Sequence, residues 1–456
     1  MNRTHGGLAM RATSGLLLRG ALARLQVAIL AGLVLWAGVL WACLSHPVPP
    51  KPYEPPPPAP PGLRRIVASG QQAPVGGVFD RFDVATQPIV APVNVNGQVA
   101  FYATVLRSKA KEGIFLATNG HIVKAVAVGD SAPGGGVISA FSSHPMPALN
   151  DSGTIVFGAS VTSAQAGEGI FIAKDGTLKA IAMIGGDAPG YIGGTFVSFD
   201  TPALSNRDEV VFVASVRHGR EMSETLYLYS NSNGRIRKLL AEGDPYLGGG
   251  FFDQFGLPAI NNRGVIAVPL TLDHGPAMGG IFVTGTRDLK MLVGAGAPAP
   301  DGQMILRFSE RIAIDDNDDI AFGAHIGVGA VREEALMKVN TSGVALIARV
   351  GDAAPGGGKF AGFGQWPSVG PPGRIAFTAA VDDGPGPVAV FAWQAGTFSR
   401  IVTSGEKLPD GGVLQPFAIN AVTAAGNNGA ITFATMGDAD AGGGQSRIYY
   451  YGPPPK

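Results

Sequence analysis

The sequence predicts an all-β chain: a seven-bladed β-propeller of four-stranded antiparallel blades, closed by its N-terminal strand and preceded by one transmembrane or signal helix and a Pro-rich linker. Three observations predict it. Of 456 residues, 67 are Gly and 35 are Pro, which disfavours long helices, while 46% are apolar, enough to fill a large core. One turn-plus-strand segment recurs seven times with a period near 55 residues. The last unit stops one strand short, and the domain opens with a segment that matches the missing strand.

The elements follow in chain order. Residues 1–26 are a basic N-terminus, with Arg3, Arg11, Arg19 and Arg24 ahead of the uncharged run 27–44, VAILAGLVLWAGVLWACL. As a helix this run just spans a hydrocarbon layer of about 30 Å, and the arginines hold the N-terminus in the cytoplasm with the rest of the chain beyond the membrane. Three readings stand open: a retained signal anchor, a cleaved secretory signal, and a lipoprotein signal. In the last, Leu40 to Cys43 serves as the lipobox and Cys43 carries the lipid, although Trp41 stands where a small residue is usual. The expected place is the bacterial inner membrane with the domain in the periplasm or outside the cell, a secreted protein or a lipoprotein being the alternatives. Residues 45–62 form the linker, in which ten of the fifteen residues 47–61 are Pro. Such a run is extended polyproline II, a stiff spacer of about 3.1 Å per residue. The propeller is assigned to 63–452, and 453–456 are a short tail.

Within the repeats the recurring segment reads NVNGQVAF ending at Phe101, then NDSGTIVF at Phe157, SNRDEVVF at Phe212, NNRGVIAV at Val268, DDNDDIAF at Phe322, GPPGRIAF at Phe377 and GNNGAITF at Phe433. A leading Asn or Asp can bond the backbone two residues on, and a Gly three residues later accepts positive φ, which together make a tight hairpin corner. Asp208 and Asp318 replace that Gly in units three and five, and Val268 replaces the Phe in unit four, so those turns are expected to be weaker. After the turn the alternation has period two: Val99, Phe101, Ala103 and Val105 share one face, while small residues such as Ala100, Ala321 and Ala376 mark the other. Bulky on one face and small on the other suits a sheet packed between two neighbours, with neither face wet. A second strand (GIFLA, GIFIA, TLYLY and their counterparts), a third (as in DGTLKAIAMI), a Gly/Pro loop (GDSAPGGG and its relatives) and a fourth strand complete each unit. The domain's opening LRRIVASGQQAPVGG aligns with VKAVAVGDSAPGGG, so the N-terminal strand is placed beside the last one, removing free sheet edges. A parallel β-helix and a string of independent β-modules are the rival architectures.

The turn and strand resemble those of bacterial tandem-repeat proteins recognised by an NxxGxxxAF motif, in which the anchor varies from member to member. The layout is also similar to WD-type and Tol-type propeller repeats. The resemblance covers about residues 64 to 452 and implies architecture, with no catalytic residue to carry over.

Composition narrows the function. The first 61 residues hold five basic groups and one acidic group, which leaves 29 basic against 33 acidic in the remainder, without the basic stripe that nucleic acid requires. Nucleic-acid binding is therefore discarded. Cys43 is the only cysteine, so an intrachain disulfide and thiolate metal clusters are excluded. His121, His144, His218, His274 and His325 show no metal spacing, and GxSxG is absent. Candidate binding residues are the acids of the Gly/Pro loops, Asp130, Asp187, Asp244, Asp352 and Glu406, and the polar loop holding Arg217, His218, Arg220 and Glu221. The acids also read as turn-stabilising groups. Asp315, Asp316 and Asp318 have the composition of a calcium loop without its spacing, and Ca²⁺ is the cation such a turn would take. The sequence thus suggests a non-catalytic module, tethered to the membrane by its N-terminal helix, that binds or scaffolds an envelope or extracellular protein or glycan. An extracytoplasmic enzyme, carbohydrate- or lactone-active through rim carboxylates, and a purely structural surface protein are the alternatives.

Overall fold

The computed structural model describes residues 62–453 apart from 83–90, 142–145, 163–166, 285–288, 329–330, 372, 409–411, 415–416, 418–422, 427–428 and 436–445. The basic N-terminus, the apolar run with Cys43, the linker up to residue 61 and the last three residues lie outside the described residues. Among the described residues no helix is long and apolar enough to cross a membrane.

Seven antiparallel sheets follow one another along the chain. Blade two shows the plan. Counted outward, its first or inner strand comes in two pieces, Val137–Phe141 and Ala148–Leu149, followed by a second, Ile155–Thr162, a third, Gly167–Lys174, and a fourth, Thr177–Met183. The strand after the recurring turn is therefore second in the blade and the GIFIA strand third. Four strands per blade is thus the arrangement the sequence predicts, with the inner strand broken where it bends. The seventh blade is closed from the other end of the domain. Leu63–Ala68 pairs antiparallel with Arg447–Tyr451, from Leu63 opposite Tyr451 to Ala68 opposite Arg447, and becomes the outer strand.

The two-faced strands place the core between blades. Val99, Phe101, Ala103 and Val105 pack against Ile448 and Tyr450 of blade seven, which closes the ring. In blade two Ile155, Phe157, Ala159 and Val161 face Ala100, Ile114 and Val126 of blade one, and the same bulky-on-small contact recurs around the molecule. The repeated Phe also has a partner within its own blade. Phe101 stacks on Phe115, Phe157 on Phe171, Phe212 on Tyr227, Phe377 on Phe391 and Phe433 on Tyr449, with centroids 5.4 to 5.9 Å apart. Each pair is a directly opposite cross-strand pair, the unit that stabilises a sheet.

The recurring turns join inner to second strands and together form a girdle at one end of the ring. Asn94 Oδ1 accepts the amides of Asn96 and Gln98 at 3.1 and 3.0 Å, and Asn150, Ser205, Asn261 and Asp315 repeat this double bond in their own turns. The second turn residue is then tied to the blade after it: the amides of Val95, Asp151, Asn206 and Asn262 donate at 2.8 Å to the side chains of Asp151, Asn206, Asn262 and Asp316 respectively. Asp208 and Asp318 take the positive φ of the absent glycines, 55° and 64°. The turns of units three and five are not left weaker in contacts: Asn150 Nδ2 donates to Asp208 at 2.7 Å and Asn261 Nδ2 to Asp318 at 2.8 Å.

Candidate functional site

Strand alternation sends the Asn turns to one end of the ring and the opposite end receives two other kinds of loop, those linking blades and those linking second to third strands. At the girdle end all seven blades line a channel mouth of about 220 Å³, with Leu149, Leu204, Ile260, Ile314 and Val369 among its walls. Met146 of blade two, Leu257 of blade four and Trp366 of blade six form a small apolar cluster. Arg311 of blade five lies 5.6 Å over the Trp366 ring, with its guanidinium 3.8 Å from the Met146 sulfur. Desolvation pushes the Arg311 pKa down to about 10.

The loop end holds the large concavity, a cavity of about 900 Å³ between blades four and five. Gly279 and Gly280 open the third strand of blade four, just after Met278, while Arg307 and Phe308 end the first piece of the inner strand of blade five, with Glu310 just beyond it. His325, opposite Arg307 in the sheet, and Arg332 complete the blade-five wall; Asp200 and Trp366 bound it toward blades three and six. Cations thus stand on one wall and a carboxylate on another, with an aromatic ring at the inner end. The acidic side extends beyond the cavity: burial raises the Glu224 pKa, and Asp200, Glu242 and Asp253 raise it further, against the Phe255 amide that lowers it.

At three interfaces a carboxylate ties successive blades at this height. Glu112 accepts the Phe141 amide of the next blade at 3.2 Å, Glu224 that of Phe255 at 3.1 Å and Glu334 that of Phe363 at 2.9 Å. In the third strand of blade four the corresponding residue is Gly279.

None of the candidate residues read from the sequence lines this cavity. The loop acids lock their own turns: Asp130 accepts the Ala127 amide at 2.8 Å, Asp244 that of Ala241 at 2.8 Å, Asp352 that of Arg349 at 2.9 Å and Glu406 that of Thr403 at 3.2 Å. Lys124, Lys238, Arg349 and Arg400 sit beside the same carboxylates. Asp187 occupies the equivalent turn and is exposed. Arg217 and Arg220 project from the hairpin tip of blade three, where His218 stacks on Tyr191 at 4.5 Å and reaches Ser223 at 3.0 Å.

The acidic run serves the girdle. Asp315 holds its own turn, Asp316 receives the Asn262 amide and side chain, Asp318 pairs with Arg263 and Asn261, and Asp319 with Lys338 and Asn340. Among the described residues no group of three or more His, Cys, Asp or Glu is arranged to hold a metal ion. Arg307, His325, Arg332 and Trp366 belong to no motif. The sequence signal that marks this cavity is Gly279, standing where units one, two, three and five carry Glu112, Glu168, Glu224 and Glu334.

Fold and closure define the chain as a seven-bladed β-propeller. It belongs to a family of unknown function, DUF7453, whose profile matches residues 59–276 and 269–389. No curated protein matches the sequence. Solved structures similar to it include an oligogalacturonate lyase in complex with manganese, 10% identical over 87% of this chain and 98% of that one, with a TM-score of 0.47. The propeller domain of the trilobed protease from Pyrococcus furiosus is 11% identical over 81% of this chain and 93% of its own, at 0.46. TolB from Acinetobacter baumannii is 12% identical over 62% and 59%, at 0.32. At these values no residue, substrate or partner passes from them to this chain.

Proposed function

We propose that the chain is an exported, membrane-tethered propeller of NxxGxxxAF type that binds an envelope or extracellular ligand at its loop end, in and around the cavity between blades four and five. One observation carries the reading. Of the twelve strongly exposed large apolar side chains among the described residues, only Val123 lies toward the girdle end; Ile192, Leu247, Met278 and Val328, the most exposed, all stand on loop-end segments. Exposed apolar groups beside a deep, partly charged cavity are the composition of a recognition surface. Export rests on the arginine-flanked apolar run and the proline spacer of the sequence.

A second reading is supported by the lining itself. Asp200, Glu310 and His325 share one cavity, the groups that acid–base chemistry on a carbohydrate or lactone would use. One experiment separates the two. Full-length protein carrying a photo-crosslinker at Met278 or, as control, at Asn119 on the girdle end is incubated with envelope polysaccharide. Binding without catalysis gives adducts only from Met278 and leaves chain length unchanged, whereas catalysis shortens the polysaccharide. Adducts from both positions alike, with no shortening, would sink both readings.

A further inference from the structure

Resting on the reading that this cavity is the site, we infer that it is built for a ligand carboxylate, and specifically for an acidic saccharide whose carboxylate takes the place of the glutamate missing from this blade interface. The inter-blade tie shows what the position accepts. At three interfaces a side-chain carboxylate receives an inner-strand amide of the next blade, from Phe141, Phe255 and Phe363. The equivalent residue in blade five is Phe308. It stands opposite Ala324 as Phe363 stands opposite Ala379, and the following amides, of Ser309 and Gly364, both bond back to their own blade at 2.9 Å. The shared register therefore turns the Phe308 amide toward blade four, where Gly279 offers no carboxylate.

Two other interfaces also lack the glutamate, and neither leaves the position open. Val388 of blade six packs into the apolar core, and Ser446 of blade seven is buried, its carbonyl accepting the Ser69 amide at 2.9 Å. Only beside Gly279 does the loss coincide, among the described residues, with a 900 Å³ cavity and with the guanidinium groups of Arg307 and Arg332 on its wall. An amide flanked by two arginines is a carboxylate receptor, because charge-assisted bonds to carboxylate oxygen are the strong ones. The remaining lining selects the rest of the ligand. Asp200, Glu310 and Gln254 present acceptors suited to hydroxyl donors, and Trp366 presents a ring to the apolar face of a sugar. Asp200 and Glu310 repel a ligand that is anionic throughout, so the carboxylate must be confined to one end or one sugar unit at the arginine wall.

The test is calorimetric titration of the full-length chain in detergent with short galactose and glucose oligomers that end in a single uronate unit, the matching neutral oligomers, and a peptide with a free C-terminal carboxylate. The oligomers ending in a single uronate are expected to bind, with affinity falling at least about tenfold in Arg307→Gln and in Arg332→Gln and falling as salt rises. Both arginines are exposed, so these variants keep the wild-type melting temperature. Equal affinity for neutral and acidic oligomers would overturn the carboxylate inference while leaving the cavity as the site. Binding of the peptide alone would overturn the saccharide assignment. Loss of every interaction, with Met278 crosslinking to polysaccharide also absent, would remove the underlying reading as well.

Discussion

Position one of the girdle turn asks for an oxygen that accepts two backbone amides and, ideally, for an NH₂ group that reaches the next blade. Asn94, Asn150 and Asn261 supply both, donating across to the carbonyls of residues 150, 205 and 315 at 3.0 to 3.1 Å. Asp315 supplies only the first and is 3% exposed. Burial raises its carboxyl pKa above the ordinary range, and Asp319 adds to this, while the amides of Asp319 and Asn317 pull the other way. A carboxyl raised on folding binds more protons in the native than in the unfolded chain, so its contribution falls as pH climbs from the ordinary carboxylate range through the raised value. Asp315→Asn is therefore expected to stabilise the protein at neutral pH, with the gain shrinking to nothing below about pH 4. Denaturant melts of both proteins across that range check it, and a gain equal at every pH would contradict the charge argument. The Asn-turn chemistry itself was readable from sequence, because an Asx turn is local. Its second use, tying blade to blade, was not, since it joins residues about 55 positions apart that become neighbours only once the ring closes.

At the scale of an element, the blade-connecting loop explains why its glycines cluster. Gly358 has φ of 85°, and a Cβ there would lie 2.4 Å from the Asp382 carbonyl oxygen at the tip of the adjoining hairpin. Gly77 and Gly250 meet carbonyl oxygens in the same way, at 2.0 and 2.5 Å. Both conditions, left-handed backbone and no space, exclude a side chain, so Gly358→Ala is expected to lower stability by about 2–4 kcal/mol in equilibrium unfolding. Glu334→Gln, which keeps an oxygen acceptor for the Phe363 amide, should cost less than half as much. The strand faces and this loop were legible because period two and Gly runs are local signals. The cavity was not: Gly279 reads as one more glycine until it is set beside the glutamates of the other units, and Arg307, His325 and Arg332 share a wall only when blades four and five are placed side by side. The loop acids recur for a local reason of their own, since Asp130, Asp244, Asp352 and Glu406 each bond an amide of their own turn.

For the whole molecule the decisive feature is the clasp. Seven sheets stacked in a row would expose the face of blade seven and the face of blade one; bending the row into a ring buries both, but only if the two ends are held. Leu63–Ala68 holds them by contributing a six-residue strand to a sheet whose other members come from the far end of the chain. Val67 is fully buried and Leu63 is 6% exposed, and burial of each such side chain is worth about 1.5–3 kcal/mol. Removing residues 63–68 from the full chain should therefore lower the melting temperature. It should also free the edge of Arg447–Tyr451, which then recruits a strand from another copy and makes the protein self-associate in a concentration-dependent way. A synthetic LRRIVA peptide should reverse both effects by refilling the edge, a rescue that simple loss of apolar area would not show. Deleting an equal length of the proline spacer is the control, expected to change neither property. If the clasp deletion melts like the intact chain and stays monomeric, closure is not what holds the seven blades together.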